Sequence, residues 1–165
     1  MDTPDIHFLR AAEGWLELGN PAEARLELAR VSPENQSHSD VLCARWHVEE
    51  RCHQFDTCVE IARTMIRVNA KDPRGYMNLS NALFFAGKTE LAYQHGLEAA
   101  ARFPSDPAQP YNMACYACHM GRIDEAKSWL HRAMALGDSK TVQNWARNDP
   151  DLAPLRGHWR PDQRG

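Results

Sequence analysis

Small and apolar residues recur along this chain at a spacing of 34. Gly87 and Gly121 are one interval apart, as are Ala92 and Ala126, Ala99 and Ala133, and Leu79 and Met113. Each glycine separates two segments about the length of a short helix, with apolar residues three and four apart. The block from Asp72 to Gly137 therefore reads as one helix–turn–helix unit written twice. A fixed period in this range predicts a stacked repeat array, in which no unit buries its apolar face alone. Two intervals earlier, Gly19 and Ala24 fall in the same phase.

The rest of the chain is placed from that register. A first helix is expected from Thr3 and Pro4, a capping residue followed by a first-turn proline. Phe8, Ala11, Ala12 and Trp15 fall on one of its faces. Gly19 to Pro21 ends it and opens a second helix with Ala24, Leu28 and Val31. The stretch from Val31 to Ser39 is polar, holds Pro33 and reads as a loop. In the next interval His53 takes the glycine position and Cys58 the small position, with Phe55, Ala62 and Met65 apolar. The helix before it fits strict register poorly, because Arg45 and Glu49 would occupy core positions. A shift of one residue gives Val41, Ala44 and Val48, so an extra residue is expected in the turn near Cys52 and His53.

Asp72 and Pro73 open the third interval, with Tyr76, Leu79, Leu83, Phe84 and Phe85. Leu91, Ala92, Ala99 and Phe103 serve its second helix. Asp106 and Pro107 open the fourth, with Tyr111, Met113, Ala114 and Ala117. Ile123, Ala126, Leu130, Ala133 and Leu136 follow, closed by Gly137 as a helix-stop residue. Ser139 is expected to cap one more helix carrying Val142, Trp145 and Ala146, with Trp145 as its anchor. Asp149 and Pro150 break it, and Leu152 and Leu155 offer a last turn. The expected division is four repeats, 4–38, 39–71, 72–105 and 106–137. A closing helix and turn over 138–155 follows, then a tail over 156–165 with little to bury except Trp159.

Composition narrows the function classes. Hydrophobic content of 43% and charged content of 25% describe an ordinary water-exposed domain. Net charge is −3 with a pI near 6.2, so binding nucleic acid through bulk charge is not expected. The charge is uneven, a net of −5 over 1–70 against +2 over 71–165. The basic excess is dispersed and reads as a solvated face. No apolar run reaches the roughly 18 residues of a membrane span. Met1 to Asp5 is acidic and no apolar signal core follows. With an odd count of five cysteines, reduced thiols in a cytoplasmic protein are expected.

The pattern resembles the tetratricopeptide repeat (TPR) family. In the third interval the matching residues are Tyr76, Leu79, Leu83, Gly87, Ala92, Ala99 and Pro104. There Ser80 replaces a small Gly and Gly96 replaces a Phe. In the fourth they are Met113, Ala114, Gly121, Ala126, Leu130 and Ala133. The ending Asn148 to Leu155 resembles the capping turn of small bacterial TPR proteins. The resemblance implies an all-α, right-handed α-solenoid whose first helices line a concave groove. It also implies a non-enzymatic, cofactor-free adaptor that binds a protein or peptide there. The residues expected to line the groove are Arg74, Met77, Asn81, Phe84, Tyr111, Cys115 and His119. At least one of Phe84 and Phe85 is expected to be core. Asn78 and Asn112, equivalent by the period, could hold a ligand backbone or bond their own neighbours. A carboxylate clamp of the kind some TPR domains carry is not expected. The comparable positions hold Leu9 and Glu13, Cys43 and His47, Met77 and Asn81, and Tyr111 and Cys115, and only Asn81 fits.

Two other readings stay open. One is a secretion-type chaperone that cradles an exported substrate. The other is a haem or metal protein using Cys115, Cys118 and His119, which match the C-x-x-C-H of covalent haem attachment. Against it, both cysteines take ordinary positions of a helix that the repeat already requires. Cys43, His47, Cys52 and His53 form a second group. Cys43 and His47 share a helix face, but two ligands are too few. The intervening repeat would separate the two groups by about 20 Å at about 8–10 Å per helix layer. Phe8, Leu9 and Trp15 are expected to leave apolar surface that could form a weak homodimer contact.

Overall fold

The computed structural model describes residues 3–156, so the expected tail beyond Arg156, with Trp159, lies outside them. Among these residues there are nine α-helices. They are α1 (Thr3–Glu17), α2 (Pro21–Ala29), α3 (Ser39–Arg51), α4 (Phe55–Val68), α5 (Pro73–Phe85), α6 (Thr89–Arg102), α7 (Ala108–His119), α8 (Ile123–Leu136) and α9 (Ser139–Asn148). Two 3-10 turns, Pro33–Asn35 and Pro150–Leu155, complete the regular structure. None of the described helices is long and apolar enough to cross a membrane.

Strict register holds through the segment where the sequence pattern points to an insertion. The bounds of α3 and α5 differ by 34 at both ends, and so do those of α4 and α6. Gly19, Gly87 and Gly121 have φ of 74°, 75° and 72°, and His53 has φ of 57°. The turn therefore needs a left-handed residue once per interval, and His53 supplies it without an extra residue. Histidine is among the side chains that tolerate this region best. Val41, Ala44 and Val48 are nevertheless buried. The first helix of a stacked pair is covered on more than one side, so their burial needs no shift. Arg45 and Glu49 stay partly exposed and find polar partners, Gln36 and Arg25.

Each second helix carries an equivalent buried stripe. Ala24, Cys58, Ala92 and Ala126 are each 0% exposed. Four residues on come Leu28, Ala62, Gly96 and Leu130, all buried. Gly96 has a packing reason. A β-carbon there would stand 2.3 Å from Met113 Sδ and 2.8 Å from Gln109 Nε2. The bulk expected on α6 thus sits on α7 instead, in Met113 and Tyr116.

Side-chain caps mark the starts of α2, α3, α5 and α9. Asn20 Oδ1 accepts from Glu23 N–H, and Asp72 Oδ1 from Arg74 N–H. Asp138, rather than Ser139, caps α9 by accepting from Thr141 N–H at 2.8 Å. Gly137 ends α8 in extended backbone, not in the left-handed region. Its role is close approach, since a β-carbon would lie 3.1 Å from Pro107 Cβ. Leu91 and Leu136, expected in the core, are 47% and 38% exposed.

The described residues fall into two compact units, divided between Ala86 and Gly87. In the N-terminal unit each helix from α1 to α5 packs on the next, and α3 also packs on both α1 and α5. Leu9, Ala12, Leu28, Val31, Val41 and Val48 are central to its first core, with Phe8, Trp15 and Leu16 partly buried against it. The apolar surface expected from Phe8, Leu9 and Trp15 is therefore largely spent inside the unit. Arg30 also lies over the Phe8 ring, 4.2 Å from its centroid. The polar loop after α2 is tied down by Asp5, which is 4% exposed. Its carboxylate accepts from the Ser32 hydroxyl, from Ser32 N–H at 2.9 Å and from Asn35 Nδ2 at 2.7 Å. These bonds, the Ser32 hydroxyl first, hold the Asp5 carboxyl below its ordinary 3.8.

In the C-terminal unit α6, α7 and α8 pack in sequence, and the turn Pro150–Leu155 packs on α7 and α8. Tyr93 and Trp129 link α6 to α8, Trp129 Nε1–H donating to the Tyr93 hydroxyl at 3.0 Å. Trp145 is not the anchor of the closing segment, being 54% exposed. Val142, Ala146, Leu152 and Leu155 fill that role at 1–3% exposure. The helical period explains the exchange. Val142 and Ala146 are four apart and face inward, which turns Trp145 toward the rim.

Candidate binding face and its closing turn

In the N-terminal unit, first-helix positions related by the period surround an open cleft. Leu9, Glu13 and Leu16 from α1, Cys43, Ala44 and His47 from α3, Asp40 and Arg74 line a volume of about 230 Å³. A second hollow of about 170 Å³ shares Glu13, Leu16 and His47 and adds Glu17 and Arg51. Arg74 is a groove residue expected from the sequence, but it is firmly held. Its guanidinium donates to Asp72 Oδ2 at 2.7 Å and to Asp40 Oδ1 at 2.8 Å. Asp72 is its own helix cap, and Asp40 is its equivalent one interval earlier. These bonds raise the Arg74 pKa, with Asp72 the larger cause. Burial raises the Cys43 thiol, opposed by Arg74. The cleft thus offers two carboxylates, Glu13 and Glu17, an imidazole and apolar floor residues. The sequence pattern does not single out Leu16 or Asp40. The period could have found Asp40, since it stands 34 before Arg74.

Met77 and Asn81 are partly buried on α5. Asn78 is in the core at 3% exposure, and its Nδ2 lies 3.7 Å from Met65 Sδ, so it bonds its own neighbours. Phe84 is half-buried and Phe85 is 42% exposed, so neither is fully core. They extend a run of rings, with centroids 5.9 Å apart between Phe84 and Phe85 and 5.7 Å between Phe85 and Phe55. His53 meets Phe55 edge-on at 5.7 Å. Cys52 is turned toward Arg25, which donates to its sulfur at 3.5 Å, so Cys43, His47, Cys52 and His53 do not converge. A larger cleft of about 310 Å³ opens among α2, α3 and α4, floored by Leu28, Leu42 and Val48 and walled by Arg25 and Glu49. Those two charges pair with each other at 3.0 Å, which leaves that cleft with little unpaired polar chemistry.

In the C-terminal unit, Tyr111, Cys115 and His119 lie four apart and share one face of α7. The segment that follows α9 meets all three. The Tyr111 hydroxyl donates to Asp149 Oδ2 at 2.7 Å, and Cys115 Sγ is 3.8 Å from the same oxygen. His119 Nε2 is 2.9 Å from Asp151 Oδ1. Trp145 lies edge-on to Tyr111, with centroids 5.9 Å apart. Burial, then the Asp149 and Asp151 charges, push the Cys115 thiol far up and Cys118 to about 11. Cys115 and Cys118 are each 5% exposed. Covalent haem attachment needs both sulfurs to reach a planar group outside the helix, and needs His119 to turn to iron. Two enclosed, protonated thiols and an imidazole engaged by Asp151 fit that group poorly.

This is an all-α helical repeat fold of the TPR kind. No protein-family model and no curated protein matches the chain. Solved structures do. A thermophilic TPR protein of Thermus thermophilus is 20% identical, with a TM-score of 0.76 over 92% of this chain and 80% of that one. PilF of Pseudomonas aeruginosa is 21% identical, with a TM-score of 0.72 over 92% and 67%. YrrB, a TPR protein with an unusual peptide-binding site, is 11% identical, with a TM-score of 0.59 over 90% and 80%. At these identities the likeness is one of fold.

Proposed function

We propose that this chain is an adaptor that binds a peptide or protein segment on the face of its first helices, within four repeats closed by α9 and the final turn. The carrying observation is the cleft bordered by Leu9, Glu13, Cys43 and His47, which are period-equivalent positions of α1 and α3. Stacked first helices present side chains on a regular grid, which suits an extended ligand. Arg74, Met77, Asn81 and Phe84 continue that face along α5. Tyr111, Cys115 and His119 are its equivalents on α7, where a ligand would first meet Asp149 and Asp151. YrrB's peptide-binding site, in a similar fold, is in keeping with this reading.

The test is capture of peptides from a library by the purified chain. His47→Ala with Phe84→Ala is expected to keep the helical circular dichroism and lose the captured set. Retention of the same peptides by the double variant would sink the assignment of this face. A second variant, Leu42→Ala with Ile61→Ala, changes two side chains that line the cleft among α2, α3 and α4 and is expected to leave capture unchanged.

A further inference from the structure

One cluster in the C-terminal unit brings together Cys115, Asp149 and Asp151, with His119 beside it on Asp151. Cys115 and His119 are four apart on α7, so both project from one helix face, a spacing that suits chelation of one ion. Asp149 and Asp151 are two apart on the turn that covers that face. Cys115 Sγ and one oxygen from each aspartate all lie within 4.8 Å of one another. His119 Nε2 joins them through its 2.9 Å approach to Asp151 Oδ1. In a tetrahedral zinc site, with ligands at about 2.0–2.3 Å, neighbouring donor atoms stand about 3.3–3.8 Å apart. Cys115, Asp149 and Asp151 already stand close to those distances, and His119 completes the set by swinging inward from its contact with Asp151.

We propose that Cys115, His119, Asp149 and Asp151 form a zinc-type divalent metal site that clamps the final turn onto α7. The donor set of thiolate, imidazole and two carboxylates suits a borderline-soft ion such as Zn²⁺. Binding replaces the Cys115 thiol proton, which leaves to solvent, by a metal–sulfur bond. His119 binds through Nε2 as the neutral Nδ1–H tautomer, any second imidazole proton leaving to solvent, so two metal bonds replace the His119–Asp151 hydrogen bond. Asp149 Oδ1 stays with Asp151 N–H, the bond that starts the turn, so Oδ2 is its ligand atom. Three anionic donors against a divalent ion leave one negative charge, and Arg156, donating to the Asp149 carbonyl at 3.1 Å, lies beside it. On the His119 and Asp151 side the side chains are 46% and 35% exposed. Cys118 lies outside the set, so this site differs from one built on the C-x-x-C-H spacing.

The same groups also satisfy one another with protons alone, and the experiment separates the two states. The reduced, metal-stripped chain is titrated with Co²⁺ and then Zn²⁺. One equivalent of Co²⁺ is expected to give tetrahedral d–d absorption and a sulfur-to-cobalt charge-transfer band in the near ultraviolet, both removed by Zn²⁺. Cys115→Ser should abolish the charge-transfer band, while Cys43→Ser with Cys52→Ser should keep it. Asp151→Asn, which retains the shape of the turn, should weaken affinity by about 10-fold or more. Zn²⁺ should raise the melting temperature of the wild type and not that of Cys115→Ser. Absence of the band at one equivalent, its survival in Cys115→Ser, or an equal thermal shift in both proteins would overturn the site.

Discussion

The two units use equivalent positions to opposite ends. In the N-terminal unit, Leu9, Glu13, Cys43 and His47 border open clefts. In the C-terminal unit, Tyr111 and Cys115 occupy the same phase and meet Asp149, while His119, one turn on, meets Asp151. The repeats alone do not produce that difference, because the register is the same throughout. It arises from the chain after Gly137, which folds back as α9 and a buried turn. The period sets which face a side chain takes. The segment beyond the repeats decides whether that face stays available.

The strongest way to break the comparison is to loosen the closing turn. Leu152 and Leu155 are each 1% exposed. Truncation of a buried leucine to alanine costs about 2–5 kcal/mol, so Leu152→Ala with Leu155→Ala should cause the largest loss of stability. Repeat folds lose stability locally, since each unit leans on its neighbours. Hydrogen exchange should therefore accelerate in α7, α8 and α9 well before α1 to α4. Cys115 and Cys118 should become reactive to a thiol reagent that in the wild type modifies mainly Cys43 and Cys52. Uniform acceleration across both units would show that they are not separable.

A smaller effect probes why α6 differs from its equivalents. Leu28 and Leu130 stand where α6 has Gly96. Gly96→Leu should destabilise by about 3 kcal/mol by overpacking, because Met113 Sδ already fills the space. Adding Met113→Ala should recover part of that loss, and a urea-unfolding double-mutant cycle would measure the coupling. Additive losses would mean that the two side chains do not compete.

These particulars show what is legible in the sequence. The turns and the small-residue stripe are legible because they are local, set by backbone handedness and close helix approach. His53 is harder, since a histidine can take a glycine's conformation without resembling one. Val41, Ala44 and Val48 suggest a shifted register only when a helix covered on several sides is given a single amphipathic stripe. Trp145 attracts the role of anchor by its size, yet its phase points it outward. The pairing of α7 with Asp149 and Asp151 is not legible at all. It joins residues more than 30 apart, and no periodicity predicts where a closing turn lands. Nor is the tie between Asp5 and the loop after α2 legible; it joins residues 27 and 30 apart.

Gln109 sharpens the comparison from the opposite side. Its amide is 2% exposed, and neither its nitrogen nor its oxygen has a hydrogen-bond partner. An unsatisfied buried polar group costs about 1–3 kcal/mol. Gln109→Met keeps the volume and removes the polar atoms, so it should stabilise the C-terminal unit by about 1 kcal/mol. A raised urea midpoint with unchanged slope would confirm it. A lowered midpoint would mean that the amide is satisfied in solution, for instance by a buried water.

The smallest effect is one of acid. Each unit secures an end through an aspartate, and Asp5 does so in the N-terminal unit by binding Ser32 and Asn35. Its folded pKa lies below the ordinary 3.8. Its contribution to stability is therefore fully present above 3.8 and is lost as pH falls through the lowered folded value. Asp5→Asn should thus weaken the protein near about pH 6 and make little difference well below about pH 3. Paired urea titrations of the two proteins across that range would read the gap closing. A gap of constant size would assign the role of Asp5 to shape alone, and its charge would then contribute nothing to holding the loop on α1.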